Sequence, residues 1–217
     1  MPKSTRNIKE VEDIREKILI IAMGIIVSQG FDNFSMRKLA SKLNMTAANI
    51  YNYFSNKDEI YLKIQTKGFQ ILYDFLEEIS NSPLSLQESI SSVINGYIEF
   101  GTNNKNYYDI MLNSPAPKYS DYVGTKMENT AKTEKETALK NIDIVVDILT
   151  KRIPNLCPIK TRTFIIKIWS RLHGLIILYN KNILSEVVEN PEIIINEIKN
   201  DLIKEIEKFL ITEGAEI

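Results

Sequence analysis

Apolar residues in this chain recur at three- and four-residue intervals almost throughout, and no stretch alternates over the length of a strand. From Ile8 to Gln29 the positions Val11, Ile14, Ile18, Ala22 and Ile25 form one helix face, and Gly30 follows in the usual C-terminal place. Phe31 and Phe34 then cover a small core. Ser35 is a good N-cap for a two-turn helix whose Met36, Leu39, Ala40 and Leu43 share one side. Asn44 tolerates a left-handed backbone better than other non-glycine residues, so a sharp turn is expected there. Thr46 can cap a second short helix, Ala47 to Tyr53, with Ile50 and Phe54 pointing inward. A third start follows at Asn56, with Glu59 three residues on as a capping box. Two short helices around a tight turn, feeding a longer one, make a helix-turn-helix.

The remainder reads as further helices. One runs from Asn56 to about Ile79, and its two halves are expected to serve two domains. Ser85 and Glu88 form a second capping box ahead of a helix from Leu86 to Phe100, closed by Gly101. A short helix spans Tyr107 to Asn113, before Pro115 and Pro117 break the chain. Residues 121 to 152 form a long mixed helix, charged in its first half and isoleucine-rich in its second. Phe164 to Tyr179 is apolar nearly all round, and Ile193 to Leu210 is apolar over a wide arc, after Asn190 as cap and Pro191 at the first position. Two such helices exceed what one domain of this size needs. The excess fits a subunit interface in which each pair meets its copy as a four-helix bundle, or else a domain core. The expected class is all-α, with about nine helices.

Composition changes this picture little. The chain has 217 residues, 44% hydrophobic and 25% charged, with a formal net charge of −1. It is long enough to bury a substantial core. The distribution of charge says more. No acidic residue lies between Asn33 and Lys57, and Arg37, Lys38, Lys42 and Lys57 make that stretch basic. That is the sign needed to displace counterions from a polyphosphate. Beside them, Thr46, Ala47, Ala48, Asn49, Tyr51, Asn52 and Tyr53 are left for the outside of the hook. Two alanines in a first turn let a helix approach base edges and thymine methyls, while the amide and the hydroxyls suit bases and phosphates.

These residues resemble the DNA-binding domain of the TetR family of bacterial transcriptional regulators. That family carries a pattern close to T-x-R-x-[IL]-A, then a turn, then a short helix ending Y-x-[YH]-F-x-[NS]-K-x-[ED]-L. The matching residues are Ser35, Arg37, Leu39, Ala40, Tyr51, Tyr53, Phe54, Asn56, Lys57, Glu59 and Ile60, and the similarity extends back over the first helix to about residue 8. Asn44 stands where the family usually has glycine. The resemblance implies that Arg37, Ala47, Ala48 and Tyr51 approach bases. Ser35 caps the first helix of the motif, Thr46, Asn49, Tyr53 and Lys57 lie nearer the phosphates, and Asn52 belongs to the same DNA-facing set. It further implies residues 1 to 60 as the DNA-binding domain and 61 to 217 as a helical-bundle domain for ligand binding and dimerisation. A run W-x-x-x-H-G at Trp169, His173 and Gly174 is similar to one in a subgroup of the family.

The implied partners are double-stranded DNA, a second copy through helices at about 161–181 and 191–211, and a small apolar effector. Tyr97, Phe100, Tyr107, Tyr108, Met111, Met127, Trp169 and His173 combine soft walls with hydroxyl and imidazole groups suited to an effector pocket, although each is also an ordinary packing residue. His173 is the only histidine, and no cluster at metal spacing accompanies it, so neither a metal nor another cofactor is expected. No Ser-His-Asp order, glycine-rich phosphate loop or H-E-x-x-H occurs, which argues against an enzyme. The polar start and the lack of a long apolar window point to a cytoplasmic protein with no membrane span, and the lone Cys157 excludes an internal disulfide. Cys157 near Lys151, Arg152 and Lys160 is a possible redox sensor. Lys3 and Arg6 form a basic arm or a frayed terminus. The competing reading is an all-helical adaptor that binds protein partners without DNA.

Overall fold

The computed structural model describes residues 7–151, 153 and 156–214. The basic arm and Arg152 lie outside those residues. Among the described residues there are eleven α-helices and one π-helical turn, and no strand. The first four helices are α1 (Ile8–Gln29), α2 (Met36–Lys42), α3 (Ala47–Tyr51) and α4 (Lys57–Asn81). Then come α5 (Leu86–Asn103), α6 (Lys105–Tyr108), the π turn Asp109–Asn113, α7 (Tyr119–Tyr122) and α8 (Glu128–Thr150). The chain closes with α9 (Pro158–Asn180), α10 (Ile183–Val187) and α11 (Pro191–Thr212). The count exceeds nine because α7 and α10 are single turns, too short for an apolar period to register.

The chain divides into two compact units. One takes residues up to Phe69 together with Asn106–Glu136, and the other takes Gln70–Lys105 and Thr137 onward. The uninterrupted helix α4 contributes residues to both.

In the first unit, Ile18, Ala22, Ile25 and Ile26 of α1 meet Phe31, Phe34, Leu39, Ile50 and Phe54 in one cluster. α1 and two short helices supply little apolar area by themselves, and α4 completes the cluster with Ile60, Tyr61 and Ile64. The π turn adds Ile110, for a local reason. The Ser114 amide donates to the Asp109 carbonyl at 2.8 Å, and Pro115 has no N–H to offer Ile110. The Ile110 carbonyl instead accepts from the Tyr61 hydroxyl at 3.0 Å and the Gln65 amide at 3.2 Å, both on α4. Burial pushes the Tyr61 phenol up to about 12, so it remains a donor at any physiological pH. Nearby, Tyr122 donates to the Asp58 carboxylate at 2.9 Å, joining α7 to the first turn of α4.

In the second unit, Ile90 and Ile94 of α5, Leu149 of α8, Ile168 and Leu172 of α9, and Leu202, Ile206 and Leu210 of α11 form the core. Phe164 and Phe209 stack with ring centroids 4.0 Å apart. The Ser85–Glu88 capping box forms as expected. Gly101, however, does not end α5. It is buried, and its carbonyl accepts from the Asn180 side chain at 2.9 Å, so packing outweighs the low helix propensity of glycine and the helix continues to Asn103.

Candidate nucleic-acid interface

The hook forms as its local signals dictate. The Ser35 hydroxyl accepts from the Lys38 amide and starts α2, whose Met36, Leu39 and Ala40 are buried. Asn44 takes the left-handed conformation at φ 52°, and the Met45 amide turns back to the Ala40 carbonyl at 2.9 Å. The Thr46 hydroxyl then accepts from the Asn49 amide at 3.2 Å and starts α3. Ile50 is the buried anchor of α3. Thr46, Ala48, Tyr51 and Asn52 are exposed, and Ala47 and Asn49 are half-buried, with Ala47 packed against the core. Tyr51 keeps 54% of its surface exposed. Arg37 is exposed on α2.

Two side chains expected on the outside are elsewhere. Tyr53 is only 7% exposed and belongs to the core cluster. The short helix stops at Tyr51 rather than running to residue 53. The Tyr53 and Phe54 amides both return to the Ile50 carbonyl, at 2.9 and 3.1 Å, and this tightened exit turns both rings inward. Lys57 is half-buried, with its ammonium 4.4 Å from the centre of the Phe31 ring and 3.4 Å from the Phe31 carbonyl. Lys38 stays exposed but donates to the Asn33 carbonyl at 2.8 Å and the Gln29 side chain at 3.1 Å. Of the four cations in the basic stretch, Arg37, Lys38 and Lys42 are exposed and Lys57 is half-buried, and Arg37 and Lys42 are the exposed pair not engaged as Lys38 is by Asn33 and Gln29. At the start of α4, Asn56 accepts from the Glu59 amide as expected, but the Glu59 carboxylate returns to the amide and hydroxyl of Ser55, both at 2.7 Å.

Comparison with known proteins fits this geometry. Residues 18–64 match the family of bacterial regulatory proteins of the tetR family. An HTH-type transcriptional regulator of Haemophilus influenzae is 33% identical over 66 residues, covering 30% of this chain and 35% of that protein. The negative transcriptional regulator of the biofilm operon icaADBC in Staphylococcus epidermidis, IcaR, is 29% identical over 63 residues, covering 29% of this chain and 34% of its own. The similarity thus spans about a third of the length of either relative. A TetR-family transcriptional regulator from Bordetella parapertussis shares the fold at a TM-score of 0.67, with 14% identity over 88% of this chain and 94% of that one. Residues 18–64 therefore carry the tetR-family segment of bacterial regulatory proteins.

Beyond that segment, the eight candidate effector-contacting residues fall into two groups. Tyr107, Tyr108, Met111 and Met127 belong to the first unit, and Tyr97, Phe100, Trp169 and His173 to the second. Tyr108 and Met111 are buried, and Met111 lies directly against Gly68 of α4. Met127 packs beside Leu62, Tyr122 and Ala131. In the second unit the Trp169 indole donates to the Tyr97 hydroxyl at 2.6 Å, and the Trp169 and His173 rings lie 6.2 Å apart at 47°. Burial holds His173 below its ordinary pKa, favouring the neutral ring. A groove of about 260 Å³ between α4 and α8 is lined by none of the eight. Its walls are Tyr73, Glu77, Ser80, Asn81, Lys140, Asp143, Ile144, Asp147 and Lys151, a polar set ill suited to an apolar effector.

Cys157 is exposed at the start of α9. Among the described residues no three His, Cys, Asp or Glu side chains are grouped to hold a metal ion. None of the described helices is long and apolar enough to cross a membrane. Arg15 was not singled out by sequence reasoning, yet it touches the hook directly. Its guanidinium donates to the Tyr53 carbonyl at 2.6 Å and lies 4.4 Å from the centre of the Phe54 ring. The available signal was a cation set between Ile14 and Ile18 on the apolar side of α1.

Proposed function

We propose that this protein is a cytoplasmic, ligand-responsive repressor that binds a palindromic operator as a homodimer. The observation that carries the reading is the solvent-facing set Ala48, Tyr51 and Asn52 on a helix capped by Thr46, with Arg37 and Lys42 exposed beside it. Such a surface admits a base edge and supplies donors for phosphate oxygens. Repression is favoured by the similarity to IcaR, which is a negative regulator. Residues 1–60 form the reading domain in this proposal, and 61–217 bind ligand and pair with a second copy.

Pairing is supported by the last helices. α9 buries Ile168, Leu172, Leu175 and Ile176 but leaves Ile166 and Leu178 exposed, and among the described residues nothing beyond the local helix backbone stands within 4 Å of where a Gly174 β-carbon would be. Ile166, Ser170, Gly174 and Leu178 recur every four residues, one seam of a helix. On α11, Ile193 and Ile211 are exposed as well. A second copy would bury these apolar groups. A small apolar effector then acts by binding unequally to two settings of α4, which changes the spacing of the reading helices.

The test is selection of bound duplexes from a randomised pool by the purified protein, with mass measurement by light scattering. The expected result is a two-fold symmetric site bound by a particle of twice the monomer mass. Recovery of no enriched sequence, with salt-sensitive binding equal on every duplex, refutes a specific operator.

A further inference from the structure

We infer that Arg15 is a positioning residue of the nucleic-acid interface, setting the angle at which α3 is presented although it contributes no contact to DNA itself. The inference rests on the proposed DNA-binding function. The helix α3 is five residues long, so it has too few internal hydrogen bonds to hold its own direction. Its start is fixed by Thr46 and its middle by buried Ile50. Its exit is fixed from 38 residues away, where the Arg15 guanidinium binds the Tyr53 carbonyl at 2.6 Å.

That bond is part-buried, and the carbonyl lies just past the C-terminal end of α3, where a helix carries partial negative charge, so a cation suits it better than a neutral donor. The same planar group covers the Phe54 ring at 4.4 Å. Phe54 is itself 1% exposed, so one side chain of α1 grips the exit of α3 through both backbone and ring. Arg37 and Lys42 are exposed beside α3, whereas Arg15 is half-buried and committed to these internal partners. Removing it frees α3 to swing while Ile50 still anchors it, so Ala48, Tyr51 and Asn52 lose their common direction without loss of the fold.

Salt dependence separates positioning from phosphate contact. A phosphate-binding cation removed from each protomer flattens the slope of log K against log salt by about 0.9 per contact, whereas loss of a positioning group leaves the slope unchanged. The experiment measures operator affinity across a salt series for the full chain and for Arg15→Met and Arg15→Lys, with amide hydrogen exchange of each protein without DNA. The expected result for Arg15→Met is about tenfold weaker binding at an unchanged slope, with faster exchange at Asn52, Tyr53 and Phe54 and unchanged protection in α9 and α11. Arg15→Lys, which can still donate to the carbonyl, is expected to recover part of the affinity. Should Arg15→Met fail to fold, Arg15→Lys alone is expected to show a smaller loss at an unchanged slope. Unaltered affinity in both variants, or a flattened slope, overturns the inference. A wild-type protein that binds no duplex refutes the proposed function instead, and the exchange rates at α3 then still decide whether Arg15 holds it.

Discussion

Two tyrosines of the hook, two residues apart, are expected to fail in opposite ways when cut back to alanine. Tyr51 is 54% exposed and Tyr53 is 7% exposed. Removing the Tyr51 ring opens no cavity, so stability should move by no more than about 0.5 kcal/mol. What is lost is contact with the duplex, where one hydroxyl-to-phosphate hydrogen bond contributes about 1 kcal/mol. The proposed homodimer would make that contact twice, so Tyr51→Ala should weaken binding by about 2 kcal/mol, roughly thirty-fold in Kd. Tyr53→Ala instead empties a buried site in the core that supports the hook, at about 3–5 kcal/mol. For a chain of this size that lowers the melting temperature by about 10 °C. Fluorescence anisotropy on the selected duplex, read beside a calorimetric scan, separates the two outcomes. A Tyr53→Ala protein that melts like wild type and simply releases DNA would place that ring at the duplex and refute the orientation derived for the exit of α3. Unchanged binding by Tyr51→Ala would remove the proposed interface.

Other consequences follow from single contacts. Lys57→Ala should flatten the salt dependence of DNA binding less than Lys42→Ala, because the Lys57 ammonium is already engaged by Phe31 whereas Lys42 is exposed; a salt titration of both variants checks the order. Gly96→Ala should destabilise the second unit by about 1–3 kcal/mol, since a β-carbon there overlaps the Phe75 ring, and adding Phe75→Leu should restore most of the loss in urea unfolding. Burial raises the Glu134 carboxyl above its ordinary value, against a smaller opposing pull from Lys118. The folded state therefore holds that proton more tightly than the unfolded chain, and this contribution is full at low pH and lost as pH rises through the raised value. Glu134→Gln should accordingly melt higher than wild type at neutral pH and lose that advantage at acidic pH; a pH-independent difference would count against burial as the cause.

Much of the hook was legible in the residues because its determinants are local. Ser35 and Thr46 cap the helices they precede, and Asn44 adopts the positive φ that its position demanded. These interactions span three or four residues, the range over which a linear reading is dependable. The same holds for the Ser85–Glu88 box and for Pro191 at the start of α11. The inward rotation of Tyr53, the engagement of Lys38 and Lys57 by internal partners and the grip of Arg15 were not legible, since each depends on a partner supplied by another element.

The sequence by itself thus determined an all-helical chain, the caps and turn of a helix-turn-helix, and the basic stretch that makes it a candidate for DNA. Tertiary structure alone decided which of those cations and rings reach solvent. Arg15 and Tyr53 are 38 residues apart in the chain, and the Tyr61 and Gln65 side chains reach a carbonyl at Ile110 more than 40 positions away. Residue type specifies what a side chain can bond to, but only packing brings the acceptor within reach, and a lysine or tyrosine is equally able to face a duplex or a neighbouring helix until that happens.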